Sequence, residues 1–168
     1  MDAEGFSASD VVAITCTVPP VVASNLTYSN PQTATEAQFS LHFAIAAIIE
    51  YGDIKLEHLT TEMVSSAPIR RLLPKIDVKV GDIPEPYRSS RLICPEWGYV
   101  ELTTQAGDRK CSFVGSPLGS ALRPMSDEVL HKKFNACAEY GNIEGSASAL
   151  YDKILNVELL TNTRELFS

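Results

Sequence analysis

TATEAQFSLHFAIAAIIEY, residues Thr33 to Tyr51, is the stretch whose reading decides the fold. Thr33 is placed to cap a helix, and Glu36 three residues on completes a capping-box pattern. Leu41, Ala44, Ile45 and Ile48 recur at helical spacing and form one apolar stripe. Phe39, Phe43, Ala46, Ala47 and Ile49 fill most other directions, and Gly52 is placed to stop the helix. A helix apolar on nearly all sides belongs inside a domain. Gln38, Ser40 and His42 on it then need hydrogen-bond partners or a role.

Outward from this helix, the pattern on both sides is that of strands. Val12, Ile14, Cys16 and Val18 alternate with smaller or polar residues, and Pro19-Pro20 ends that run. Residues 1–9 read as a frayed start and 19–32 as a polar loop. After Gly52, Lys55 to Val64 carries a short helical pattern. A second short helix, capped by Ser66, ends near Pro74. Ile76, Val78 and Val80 alternate with Asp77 and Lys79 as a half-buried strand. Prolines at 84, 86 and 95 predict irregular backbone over 83–96. Tyr99 to Thr104 and Arg109 to Val114 read as a hairpin, with Val100, Leu102, Cys111 and Phe113 on one side. Ser126 caps a helix with Asp127 and Glu128 in its first turn and Leu130, Phe134 and Cys137 as its buried stripe. A last helix is expected from Ile143 to Leu155, with a further turn over Asn162 to Phe167.

These elements predict one α+β domain over residues 1–168. It is a two-layer sandwich whose mostly antiparallel sheet of three to five strands is packed by the buried central helix and C-terminal helices. The 168 residues suffice for a real core. A net charge of −7, with no basic cluster beyond Arg70-Arg71 and Lys132-Lys133, argues against nucleic acid as a partner. No apolar run is long enough to span a membrane. The acidic, polar start is unlike a signal peptide, so a cytoplasmic location is expected. Cys16, Cys94, Cys111 and Cys137 show neither a CxxC pair nor zinc spacing, and no metal is expected. Cys16 and Cys111 are read as buried free thiols, as suits a reducing compartment.

No nucleophile elbow, phosphate loop or HExxH motif is present. His42 reads as a packed core residue in preference to a catalytic base, and His58 and His131 as surface residues. Gln38 and Ser40, near a helix N-terminus, suit either an anion site or structural hydrogen bonds. The loop Gly115 to Met125 either wraps a ligand or simply connects strand to helix. Lys133 is either solvated or a cation placed for a carboxylate.

The order of segments resembles the C-terminal domain of the MmgE/PrpD family. Its pattern EAxFSxxYxxAxALxxG is similar to Glu36, Ala37, Phe39, Ser40, Ala44, Ala47 and Gly52, with Phe43 where tyrosine is common. APIRRLLPKIDVKVGD resembles the family's short helix plus strand, and YVELTTQAGDRKCSFV its strand–turn–strand unit. GSPLGSALRPMSDEVLHKKF is similar to its G-x-x-x-x-PLS segment through Gly119, Pro124, Ser126, Lys133 and Phe134, with Met125 for leucine.

The resemblance implies a 2-methylcitrate dehydratase-like lyase or isomerase. Cis-aconitate decarboxylase and iminodisuccinate epimerase belong to the same family. Such enzymes act on small polycarboxylates without a cofactor, through a carbanion-like or enolate-like state. In the family a large N-terminal helical domain supplies most of the cleft, and the smaller domain covers it as a lid. The expectation is therefore a lid domain inactive without a separate helical domain. The alternative is a non-catalytic, lid-derived module for oligomerisation or partner binding. A homo-oligomer through the vacated face is expected in either case. The expected substrate residues are Gln38, Ser40, Gly119, Arg123 and Lys133. They combine a helix N-terminus, a glycine-rich loop and cations suited to carboxylates.

Overall fold

A computed structural model of the chain describes residues 7–89, 93–143 and 146–167. Strand β1 (Val11–Val18) leads into helix α1 (Pro20–Asn25). Residues 19–32 are thus not all loop: Pro20 occupies the first turn, where its fixed φ and missing N–H favour a helix start. Next come α2 (Ala34–Gln38), α3 (Leu41–Tyr51), α4 (Thr61–Val64) and α5 (Ala67–Leu72). Strands β2 (Ile76–Val80), β3 (Gly98–Thr104) and β4 (Arg109–Val114) follow.

The four strands form one sheet in the order β2-β1-β3-β4. β1 runs parallel to β2 and antiparallel to β3, and β3 is antiparallel to β4. The fold is α+β, with a mostly antiparallel sheet. Helix α3 packs on α5 and β2. The core between helices and sheet contains Val11, Ile14, Phe43, Ile69, Leu72 and Leu102.

The central stretch is two helices, not one. Thr33 Oγ1 accepts the Glu36 N–H at 3.2 Å and caps α2. The Glu36 carboxylate accepts from the N–H of Gln32, one residue ahead of the cap, at 2.6 Å. Ser40 is extended (φ −123°, ψ 109°), bridges to Thr27 and starts α3. A serine hydroxyl competes with backbone partners, and here that ability interrupts the helix and restarts it. Gly52, at φ 78°, ends α3 as expected, its N–H donating to the Ile48 carbonyl at 2.9 Å.

The buried face of α3 is Phe43, Ala46 and Ala47. Phe39 is 49% exposed and Ile48 is also exposed, so the helix is not enclosed all round. The two alanines present little bulk, which lets the backbone approach its neighbours closely.

Two strand phases differ from expectation. A bulge between Val11 and Ala13 puts Val11 in the core and Val12 outside. An extra residue inverts the alternation on one side of a bulge. Lys75 donates to the Val11 carbonyl there. In the hairpin, Cys111 and Phe113 pair with Glu101 and Tyr99, so they share that face and not the face of Val100 and Leu102. Cys111 is exposed; Cys16 is buried as expected. On the Tyr99 face, Tyr87 stacks on Phe113 with ring centroids 4.5 Å apart.

Residues 124–168 form a second compact unit. It contains α6 (Asp127–Tyr140) and α7 (Ala147–Leu155), capped by Ser126 and Ser146. Tyr151 of α7 lies against His131 and Phe134, with ring centroids at 4.6 and 5.2 Å. The packed positions of α6 are thus His131, Phe134 and Ala138, whereas Leu130 and Cys137 are exposed. Phe134 of the expected stripe is kept, and His131 joins it against the Tyr151 ring. The turn over Thr163–Phe167 forms as expected.

Parts of three expectations lie outside the described residues: 1–6 of the frayed start, 90–92 of the irregular segment, and 144–145 of the last helix.

Candidate functional site

Ser40 and Gln38 flank the break between α2 and α3. The Ser40 hydroxyl donates to the Tyr28 carbonyl at 2.6 Å and accepts the Phe43 N–H at 3.0 Å. It is 2% exposed, so its hydrogen-bonding capacity serves the fold. Gln38, the last residue of α2, is exposed.

The loop after β4 closes on itself. Gly119, at φ 93°, donates its N–H to the Arg123 carbonyl at 2.8 Å. Arg123 N–H donates to the Ser120 carbonyl at 3.0 Å, and Ser120 N–H to Pro117 at 3.2 Å. These backbone donors are therefore turned inward. The Arg123 side chain is exposed and, among the described residues, makes no ion pair. Lys133 is exposed on α6, in the second unit. Among the described residues, no hydrogen bond joins Gln38 or Ser40 to Gly119 or Arg123.

The first unit contains a cleft of about 370 Å³ elsewhere. It is lined by the polar residues Ser29, Asn30, His42 and Arg70 and by the apolar residues Leu73, Pro74 and Ile76. Arg70 on α5 reaches back to the segment before α2. Its Nη1 donates to Asn30 Oδ1 at 2.6 Å, and its Nη2 to the Pro31 carbonyl at 2.8 Å and to Gln32 Oε1 at 3.2 Å. Ile69 and Leu72 anchor α5 in the core and hold this side chain at the rim. Neighbouring Arg71 instead pairs with Glu50 at 3.0 Å.

His42 enters the cleft from the first turn of α3 and is half-buried, unlike the packed and satisfied residue expected from sequence. Among the described residues its Nδ1, which is buried, has no hydrogen-bond partner. Burial lowers its pKa below 6.5, against a smaller opposing effect of the Asp77 charge, so the ring is neutral at neutral pH. The other histidines are less exposed than expected. His58 is buried against Tyr51, its Nδ1 accepting the Lys55 N–H at 3.2 Å, and His131 is half-buried beside Tyr151.

Sequence reading missed Arg70, Asn30 and Ser29 as lining residues. One signal was present: Arg70 directly follows Ile69 and precedes Leu72 on a short helix, where a cation is held close to the core. Among the described residues, no group of three or more His, Cys, Asp or Glu side chains is placed to hold a metal ion. No helix among them is long and apolar enough to cross a membrane.

Residues 1–155 match the MmgE/PrpD C-terminal domain. The chain belongs to the MmgE/PrpD family. No curated protein matches it. Several positions of the MmgE/PrpD-like pattern have structural work here. Glu36 holds the Gln32 N–H, Ser40 caps α3, Ala47 lies in the core, and Gly52 ends α3 in the left-handed region. That part of the pattern records how the domain folds. His42 and Arg70 stand outside those roles and share the cleft.

Proposed function

We propose that the chain is the C-terminal domain of a 2-methylcitrate dehydratase-like lyase acting on small polycarboxylates. The observation that carries this reading is the family match over residues 1–155. Breaking a bond next to a carboxylate calls for a base and for positive charge around the developing anion. The exposed cations Arg123 and Lys133 suit substrate carboxylates, and Gln38 offers an exposed amide. Ser40 and Gly119 contribute by shaping the backbone beside them. The complete acid–base machinery comes from the family's helical domain, and residues 1–168 by themselves do not turn over substrate. A cytoplasmic setting fits such a role.

The purified chain is to be assayed with 2-methylcitrate and cis-aconitate, alone and with the helical domain of a family member added. Turnover only in the mixture supports the reading. Turnover by the chain alone removes the claim that another domain holds the chemistry.

A second reading is a non-catalytic module that forms a homo-oligomer. Exposed Phe39, Ile48, Tyr51, Ile54 and Leu56, on α3 and on either side of it, favour it. Light scattering of the isolated chain separates the cases: a monomer at high concentration counts against oligomerisation.

A further inference from the structure

His58 closes the turn after α3 with a bond that only an unprotonated ring nitrogen can make. Its backbone N–H donates to the Lys55 carbonyl at 3.0 Å, and its Nδ1 accepts the Lys55 N–H at 3.2 Å. The two residues thus fasten the 3₁₀ turn Leu56–His58 by a reciprocal pair of bonds. His58 is 8% exposed, so water does not readily replace either partner. An imidazole nitrogen accepts a hydrogen bond only while it carries no proton. A proton on Nδ1 would face the Lys55 N–H, donor against donor.

The groups around the ring give a charged imidazole somewhere to go. Its Nε2 lies 4.0 Å from a carboxylate oxygen of Glu57. The Tyr51 ring of α3 lies against it, with centroids 4.7 Å apart and planes 32° from parallel. A carboxylate and an aromatic face both attract a cation. The Lys55 ammonium, 3.4 Å from Glu57, competes for the same carboxylate. Neutral and charged rings therefore suit two different arrangements of one short segment, which is what a switch requires. That segment also carries apolar surface. Ile54 and Leu56 are exposed, as are Ile48 and Tyr51 at the end of α3.

We propose that His58 is a proton-operated latch: protonation breaks its bond to Lys55, opens the turn, and frees Ile54 and Leu56 to enlarge the apolar surface beside Tyr51. The effect of that surface on self-association rests on the oligomer reading above. The latch itself rests on the reciprocal bonds of Lys55 and His58.

The test is NMR of the full 168-residue chain from about pH 8 to about pH 5, the range in which histidine changes charge. At the upper end, a scalar coupling should join the Lys55 amide to His58 Nδ1 across their hydrogen bond. Its absence there would overturn the proposal. As the ring takes its proton, the coupling should vanish. Protection of the His58 and Leu59 amides against exchange should then fall about tenfold, the effect of one lost hydrogen bond. Undiminished protection would overturn the latch, as would a ring that stays neutral until the chain unfolds. His58→Asn offers an acceptor oxygen that does not titrate, so its turn amides should keep one level of protection throughout.

Light scattering then reads the surface. Acid lowers the negative charge of the whole chain, so His58→Asn at the same pH is the reference. The wild type should associate several-fold more strongly than the variant at the acid end and equally at the other. An open turn with no such excess would leave the latch standing and overturn its effect on the surface. Equal association of both proteins with the turn closed throughout would leave the oligomer reading standing and remove the latch.

Discussion

Ser40 and Ser126 cap their helices through the same bond, with Oγ accepting the N–H three residues on, at 3.0 and 3.3 Å. Beyond the cap, α3 and α6 differ. α3 buries Phe43, Ala46 and Ala47 completely, and its serine also donates to Tyr28, distant in sequence. α6 buries only Ala138 among its described residues, and Ser126 is exposed. The cap is a local device written in a few residues. The stability resting on it depends on what covers the helix afterwards.

The largest test of this difference is truncation of an aromatic side chain in each helix. Phe43→Ala should cost about 3–5 kcal/mol in a urea melt, the range for a fully buried phenylalanine. Phe134→Ala should cost about 1–2 kcal/mol, because that ring is only half-buried. Equal losses would erase the contrast. The caps come next. Ser40→Ala should cost about 2 kcal/mol, since it leaves the buried Phe43 N–H without its acceptor and the Tyr28 carbonyl without its donor. Ser126→Ala should cost about 1 kcal/mol, the ordinary value for a cap.

Thiols extend the comparison to reactivity. Cys137 on α6 and Cys111 are exposed, whereas burial raises the Cys16 thiol to about 11. Iodoacetamide should label Cys137 and Cys111 in the native protein and reach Cys16 only after unfolding, as peptide mapping would show. The folded state keeps the Cys16 proton after the unfolded state has lost it. Stability from this group is present below pH 9.0 and falls as pH rises from there toward 11.

The smallest effect concerns His42. Its pKa lies below 6.5 in the folded state, so on acidification the unfolded chain takes the proton first. Its contribution is intact above pH 6.5 and declines as pH falls through the window down to the lowered folded value. Melts of the wild type and His42→Gln across that window should converge in slope except for this one group.

Caps and turns were legible because they depend on neighbours a few residues away. Thr33, Gly52 and Ser126 do what their positions promise. The hairpin also falls where Gly107 and Asp108 place it. The break at Ser40 was not legible, since its hydroxyl is claimed by Tyr28 across 12 positions. Nor was the phase of β1: alternation assumes no extra residue, and the bulge near Val11 supplies one. The cleft was least legible of all. Arg70 meets Asn30 and Pro31 over separations of 40 and 39 positions, and periodicity carries no trace of such pairing.

The place of β1 in the sheet bears on how the chain is made. It is the first strand in sequence, yet it lies between β2 and β3, which begin only at Ile76 and Gly98. A chain emerging from the ribosome therefore presents Val11 to Val18 long before either neighbour exists. Both edges stay unpaired, and Ile14 and Val18 stay uncovered, through the synthesis of the five α-helices between β1 and β2. Closing a parallel pair across such a span is slow compared with helix formation. The nascent chain is thus most prone to aggregate while it is building the helices that will cover β1, and delayed release of the chain beyond Val114 should favour recovery of soluble protein.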